Sequence, residues 1–292
     1  ERGSARGVQV TVMDEIGQAH DVTIRAKAVV AAAGAIHTPA LLLRSGLVNP
    51  HIGAHLHLHP VTVVYGIFDQ PIRGWEGAPM TRVSRQFADL DGQGYGVRLE
   101  TAPVHPGIAA LSLPWETGQQ HRATMAQLAH LGNIIIITRD RYGGRVTLDK
   151  RGRPVLHYRL HPHDARHMMG GILEALRTQH AAGAKELSSP HARRLVWRSD
   201  DGWKDFETYL AAVEAAGLKP NTFSLFSAHQ MSSARIGGSM AVGAVDPSGE
   251  TYEVRHLYVA DASVLPSATG VNPMISIMAT AHYLAQQMKT RI

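Results

Sequence analysis

The chain has 292 residues, 44% of them hydrophobic and 18% charged, which suits a folded protein of more than one domain and excludes an intrinsically disordered one. Its formal charge is +5, yet the basic residues are dispersed, and the densest group, Arg193-Arg194 with Arg198, reads as solvated surface rather than a nucleic-acid patch. Cysteine is absent, which excludes disulfides, thiolate metal sites and a cysteine nucleophile within these residues, and no apolar run approaches a membrane span.

The first residues, Glu1-Arg-Gly-Ser4, form neither an initiator methionine nor a signal peptide, so the chain reads as a fragment or processed product. A soluble protein, cytoplasmic or peripherally associated with a membrane, is expected; composition does not fix the compartment. Residues 8–12 and 22–24 alternate apolar and polar around 14–17, the pattern of a hairpin. Residues 28–34 are continuously small and apolar, as in a strand buried on both faces. That strand turns tightly into a helix that starts at Thr38-Pro39 and stops at Gly46.

His55, His57 and His59 recur at spacing two and on a strand share one face, where imidazoles can bind zinc. Adjacent side chains on a straight strand diverge, however, and no carboxylate stands near them in sequence, so no metal site is expected. From residue 61 the pattern changes to short strands and turns, over 61–68, 95–101, 133–138, 145–148 and 155–160. Asp164 is placed to cap a helix with Met168, Ile172, Leu173 and Leu176 on its apolar side, ended by Gly183. A second helix covers about 204–216, with Phe206, Tyr209, Leu210 and Val213 inward. A sheet with helices packed on it makes a second domain. Trp75, Pro103, His105-Pro-Gly107 and Leu113-Pro-Trp115 either line an apolar pocket or are ordinary loop and core residues.

Residues 256–260 read as the last buried strand, ending at Asp261 and Pro266. Ile275, Met278, Ala281, Leu284, Ala285 and Met288 then recur at three and four, the apolar face of a helix. Asn272 falls at its N-cap and Pro273 at its first position. Strand therefore feeds helix through a loop of small residues, and the helix start can receive an anion or a polarised ring oxygen. On the residues alone this is a buried βα unit or a ligand platform.

Val259-Ala-Asp-Ala-Ser263 followed by Gly270-Val-Asn-Pro273 resembles the C-terminal signature of the glucose–methanol–choline (GMC) oxidoreductases, flavoenzymes that oxidise alcohols. Gly34-Ala-Ile-His-Thr38-Pro39, running through Leu42-Leu43 to Ser45-Gly46-Leu47, resembles a second signature of that family, with Val48 where members usually have Gly. His229-Gln-Met-Ser-Ser-Ala-Arg-Ile-Gly237 is similar to the element His-x-x-Gly-Thr-x-x-Met-Gly, with Ser232-Ser233 replacing Gly-Thr and Ile236 replacing Met. His59 is best matched to a family histidine at the join of two domains. Leu56-His-Leu-His-Pro-Val61, Glu100-Thr-Ala-Pro103, His105-Pro-Gly107, Thr138-Arg-Asp140 and Ser227-Ala-His-Gln-Met231 look like the long-chain (fatty) alcohol oxidase branch.

The resemblance implies an α/β (α+β) fold. Residues 1–60 and 226–292 are expected as parts of a Rossmann-like FAD-binding domain, and 61–225 as a substrate domain with a mainly antiparallel sheet packed by helices. It implies FAD as cofactor, His229 and Asn272 as the catalytic pair, and cofactor contacts from Gly34, Ala35, Asp261, Ala262, Asn272, Pro273 and Met274. The implied reaction oxidises a primary, long-chain or apolar alcohol to the aldehyde, with oxygen or another acceptor reoxidising the flavin. In it His229 takes the hydroxyl proton while a hydride passes to flavin N5. A sterol, cyclic alcohol or sugar is the alternative substrate class. Hydrolysis by Ser/His/Asp is the competing use of such residues, but there is no Gly-x-Ser-x-Gly elbow. The fingerprint Gly-x-Gly-x-x-Gly, which the family carries at its N-terminus, is also absent from these residues. A separate FAD-binding segment is therefore an expected partner, and a non-catalytic fragment is the third reading.

Overall fold

The computed structural model describes residues 3–292. Its strands are β1 (Gly7–Met13), β2 (Ala19–Arg25), β3 (Val29–Ala31), β4 (Ala54–Leu56), β5 (Val61–Ile67), β6 (Val83–Ser84), β7 (Val97–Glu100), β8 (Leu131–Thr138), β9 (Gly144–Leu148), β10 (Pro154–His157), β11 (Glu186–Ser188), β12 (Val196–Arg198) and β13 (Leu257–Val259). Its helices are α1 (Gly34–Arg44), α2 (Pro106–Ser112), α3 (Gly118–Met125), α4 (Pro162–Ala181), α5 (Gly202–Ala216) and α6 (Met274–Lys289). They sort into two bodies of mixed α/β structure, one comprising the residues up to Leu58, Tyr142–Tyr158 and His229–Ile292, the other His59–Arg141 and Arg159–Ala228.

In the first body β1 and β2 form the antiparallel hairpin read from their alternation. β3 and β13 run side by side in parallel, Val29 opposite Leu257 and Ala31 opposite Val259. The strand at β3 is not buried on both faces: Ala31 is buried but Val30 is 45% exposed. α1 starts at Gly34, four residues before the expected Thr38-Pro39, and Pro39 lies inside it. β4, β9 and β10 make a three-stranded antiparallel sheet. The β9–β10 hairpin was grouped by its pattern with the second domain; its ladder to β4 puts it in the first body instead. Local alternation identifies a strand and is silent about its partner. α6 buries Leu284 in this body's core, while Ile275 and Met278, on the same apolar stripe, are 67% and 61% exposed.

The second body is built on a six-stranded sheet in the order β12-β11-β5-β8-β7-β6, antiparallel throughout. β5 shows why it is covered on both sides. Val64 enters the core shared with Met168, Ile172 and Leu176 of α4 and Phe206 and Val213 of α5, whereas Val63 and Tyr65, pointing the other way, pack with Ala109 of α2, Leu113 and Leu131. α4 is capped by His161 rather than Asp164: Pro162 sets the first helical position, and His161 Nδ1 accepts the N–H of His163 at 3.2 Å. Asp164 lies wholly buried in the first turn.

Gly170 and Gly171 in α4 are adjacent but not equivalent. A Cβ at Gly171 meets Ile136 Cγ2 at 2.7 Å and Val97 Cγ2 at 2.8 Å, whereas one at Gly170 meets nothing within 4 Å. Gly171→Ala is expected to lower stability by about 1–2 kcal/mol, because overpacking of a core costs about 1–3 and the helix propensity gained returns at most ~1. Gly170→Ala, with only the propensity gain, is expected to raise it by up to about 1 kcal/mol. Denaturant midpoints of the two variants check both signs.

Candidate active site

The parallel pairing of β3 with β13 places their C-terminal ends side by side, and ligands of α/β proteins bind beyond such ends. Asp261 sits there. Its Oδ1 accepts the backbone N–H and hydroxyl of Ser263 at 2.8 and 2.5 Å. Its Oδ2 accepts the Gly34 N–H at 2.8 Å and the Thr38 hydroxyl at 2.5 Å. The Thr38 hydroxyl in turn accepts the Ala33 N–H at 2.9 Å. Gly34 reaches Asp261 with φ +77, a conformation costly for any side-chain-bearing residue. The carboxylate thus faces the positive end of α1. Because both its oxygens are taken by protein donors, only the backbone of Asp261 is left for a cofactor.

Thr38-Pro39 signalled a helix start because proline lacks the N–H that the carbonyl four residues earlier needs. That carbonyl, on Ala35, is satisfied from elsewhere: Ser233 Oγ donates to it at 2.5 Å. Ser233 occupies the threonine position of the element that His229 opens, and either residue supplies the hydroxyl. This hydroxyl and Thr38 are the site-building groups that sequence reasoning missed, and the Pro39 lying after a strand–Gly turn was the signal.

The segment after His229 is laced along the turn at 262–264. Ser232, Ala234 and Ile236 donate their N–H groups to the carbonyls of Ala262, Ser263 and Val264 at 3.0, 2.9 and 2.9 Å. Met231 is fully buried with Ala262 and Leu265, and Ile277 of the first turns of α6 packs against them. Gly34 and Asp261 therefore meet through a direct hydrogen bond, Ala35 and Ala262 are joined to them through the carbonyls that accept from Ser233 and Ser232, and the segment led by His229 is fixed against the turn and α6. His229 is half-buried, and burial alone pushes its imidazole below the ordinary 6.5, so at neutral pH it is an uncharged base.

α6 begins one residue later than expected. Pro273, not Asn272, is its N-cap, in αR geometry and without a side-chain capping bond; proline's fixed φ suits the helical turn. Asn272 is exposed, as are Met274 and Ile275. The first-turn N–H groups of α6 are thus left with the dipole's positive end and no side-chain cap. This donor set fits the electron-rich edge of a flavin ring.

His55, His57 and His59 do not share the face of one strand as their spacing suggested. β4 ends at Leu56, and His55 and His59 take φ +61 and +43. The His55 imidazole is pushed down to about 4 by burial and by the charges of Arg235, His51, His57 and Arg145, surroundings that also repel a metal cation. Of the segments offered for an apolar pocket, Trp115 is 62% exposed against the ring of His121. Leu113 lines a cavity of only about 10 Å³, room for one water. The first body has an open cleft of about 680 Å³ between the β1–β2 hairpin and α1, and no predicted site residue lines it.

The chain belongs to the GMC oxidoreductase family: two models with that description match residues 1–61 and 140–281. It is 35% identical over 278 residues to the long-chain-alcohol oxidase FAO3 of Arabidopsis thaliana, covering 91% of this chain and 36% of that protein. To FAO1 of the same plant it is 34% identical over 274 residues, with the same coverage. Its fold is similar to that of formate oxidase from Aspergillus oryzae, a protein in which FAD modification has been studied, with a TM-score of 0.66 at 16% identity over 99% of this chain and 58% of that one. The chain thus spans a little over a third of the length of these two curated relatives.

Ser232 stands where the family element has glycine, with φ +72 and a buried hydroxyl that has no hydrogen-bond partner among the described residues. Ser232→Gly is expected to stabilise by about 1 kcal/mol. It relieves a left-handed residue worth roughly 1–2 kcal/mol and an unsatisfied hydroxyl, against roughly 0.5–1 kcal/mol for the chain entropy of glycine. Asp261→Asn, which sets an amide N–H₂ against existing donors, is expected to destabilise by about 2 kcal/mol or more. Urea unfolding of both variants checks the pair.

Proposed function

We propose that this chain carries the catalytic and part of the flavin-binding machinery of an FAD-dependent alcohol oxidase that converts a primary, long-chain or apolar alcohol to its aldehyde. We assign flavin binding to the first body and substrate recognition to the second. The observation that carries the reading is His229, a half-buried imidazole kept neutral by its surroundings on a segment hydrogen-bonded along the turn after β13. The similarity to long-chain-alcohol oxidases over nine-tenths of the chain supports the substrate class.

FAD, when bound, supplies the acceptor for the hydride, with oxygen the final acceptor. The protein's part is the proton and the positioning. His229 takes the hydroxyl proton on an imidazole nitrogen as the C–H bond yields its hydride. Asn272 orients the alcohol oxygen and stabilises the negative charge that develops on it. The first-turn N–H groups of α6, from Met274 onward, offset negative charge on the reduced ring. Gly34, Ala35, Asp261, Ala262 and Pro273 shape the backbone against which the cofactor lies.

The test is anaerobic. This chain, alone and joined to a Gly-x-Gly-x-x-Gly segment of the family, is loaded with FAD and titrated with a long-chain primary alcohol while the flavin spectrum is followed. Bleaching is expected. Bound flavin that alcohols leave oxidised refutes the substrate class, and failure of both forms to bind flavin refutes the enzyme reading. In the reducible form, His229→Ala is expected to slow reduction by roughly a hundredfold or more with FAD retained. The wild-type rate should fall only as pH drops below about 6.5, because burial sets the protonation of His229 under its ordinary value of 6.5. An unchanged rate in His229→Ala removes that residue from the mechanism, and normal turnover in Asn272→Ala makes Asn272 structural.

A further inference from the structure

The second body holds a group of ligating side chains that the proposed oxidation does not use. Asp91, in the loop between β6 and β7, and His163 and His167 of α4 bring one ligand atom each to within 4.8 Å of the others. Spacing of four puts both imidazoles on one helix face, the arrangement by which helices chelate zinc, and their ring centroids are 4.4 Å apart.

Each group is held in place. Asp91 Oδ1 accepts the N–H groups of Gln93 and Tyr95 at 2.9 and 3.1 Å, and Oδ2 lies 3.2 Å from His163 Nε2. His163 Nδ1 lies 3.0 Å from Oδ1 of the wholly buried Asp164, an oxygen that also accepts the Arg141 N–H at 3.1 Å. A proton on Nδ1 directed to Asp164 turns the Nε2 lone pair toward the Asp91 carboxylate, and two such groups repel unless a cation lies between them. Carboxylate, imidazole, metal is the order that metal-bound histidines adopt. His167 Nδ1 is buried and has no hydrogen-bond partner among the described residues, so no protein group competes for that nitrogen. Tetrahedral zinc with bonds of about 2.0 Å sets its ligand atoms roughly 3.3 Å apart, close to the separation of His163 Nε2 from Asp91 Oδ2.

We propose that Asp91, His163 and His167 form a binding site for a divalent transition-metal cation, with zinc the best match. Two imidazoles and one carboxylate suit zinc rather than magnesium or calcium, which take oxygen ligands, and three protein ligands leave a fourth position for water. The ion ties the loop of Asp91 to the first turns of α4. Two rivals for the Asp91 oxygen are on hand: the Arg141 guanidinium, 3.7 Å from Oδ2, and a second proton on His163.

The test uses the whole chain without a polyhistidine tag, stripped with EDTA, titrated with zinc chloride by calorimetry and melted with and without the metal. One equivalent is expected to bind and to raise the unfolding midpoint. His167→Gln and Asp91→Asn, placed on different elements so that a misfolded variant of one leaves the other to decide, are each expected to weaken binding roughly tenfold or more. Cobalt(II) in place of zinc should give a visible d–d band that both variants lose. His55→Gln, at a separate close histidine pair, where His51 Nδ1 and His55 Nε2 are 3.0 Å apart, should keep the band and the affinity. Binding that survives both site variants, an equal loss in His55→Gln, or no saturable binding by the unaltered chain overturns the proposal.

Discussion

The first body depends on one buried anion. Asp261 stands at the end of β13, and four donors from Gly34, Thr38 and Ser263 converge on it. A carboxylate withdrawn from water with fewer partners costs several kcal/mol, and donors withdrawn without their acceptor are costly too. Anion and donors therefore specify one another. The start of α1 is tied to the end of a strand paired with the strand that precedes it, and the two βα junctions cannot shift independently.

A second set of bonds gives that junction a third side. The hydroxyl of Ser233 completes α1 where Pro39 interrupts it, and the backbone around Ser233 runs along the turn that Asp261 begins. The position of His229 is thereby inherited from helix completion and strand pairing, not from contacts of its own alone. In the proposed reaction, an imidazole held this way needs little reorganisation to meet a substrate.

What was legible in the residues was mostly local. The β1–β2 hairpin follows from alternation and a turn, and α4 and α5 from their apolar period. The start of α1 was misplaced because the bond that lets Pro39 lie inside it comes from Ser233, distant in sequence. The apolar stripe of α6 was read correctly as a stripe, but periodicity says which face is apolar, not what covers it, and Ile275 and Met278 are exposed. In the Asp91, His163 and His167 group only the helical spacing at 163 and 167 is legible in the residues, because Asp91 is distant in sequence and reaches the two histidines through the fold. The roles proposed for His229 and Asn272 rest on family resemblance, since spacing alone does not distinguish one histidine among 18.

The first body is assembled from three separated stretches, with Val29 pairing to Leu257. On a ribosome β3 emerges long before β13, and the donors at Gly34 and Thr38 wait for an acceptor not yet synthesised. The antiparallel sheet of the other body has every one of its strands in hand by Arg198. The order of synthesis thus favours a folded sheet body beside an unfinished partner whose strand edge stays open to wrong pairings. Stalled or prematurely ended synthesis before Asp261 leaves that edge without its remedy, so the vulnerable interval is the one between the making of β3 and the making of β13.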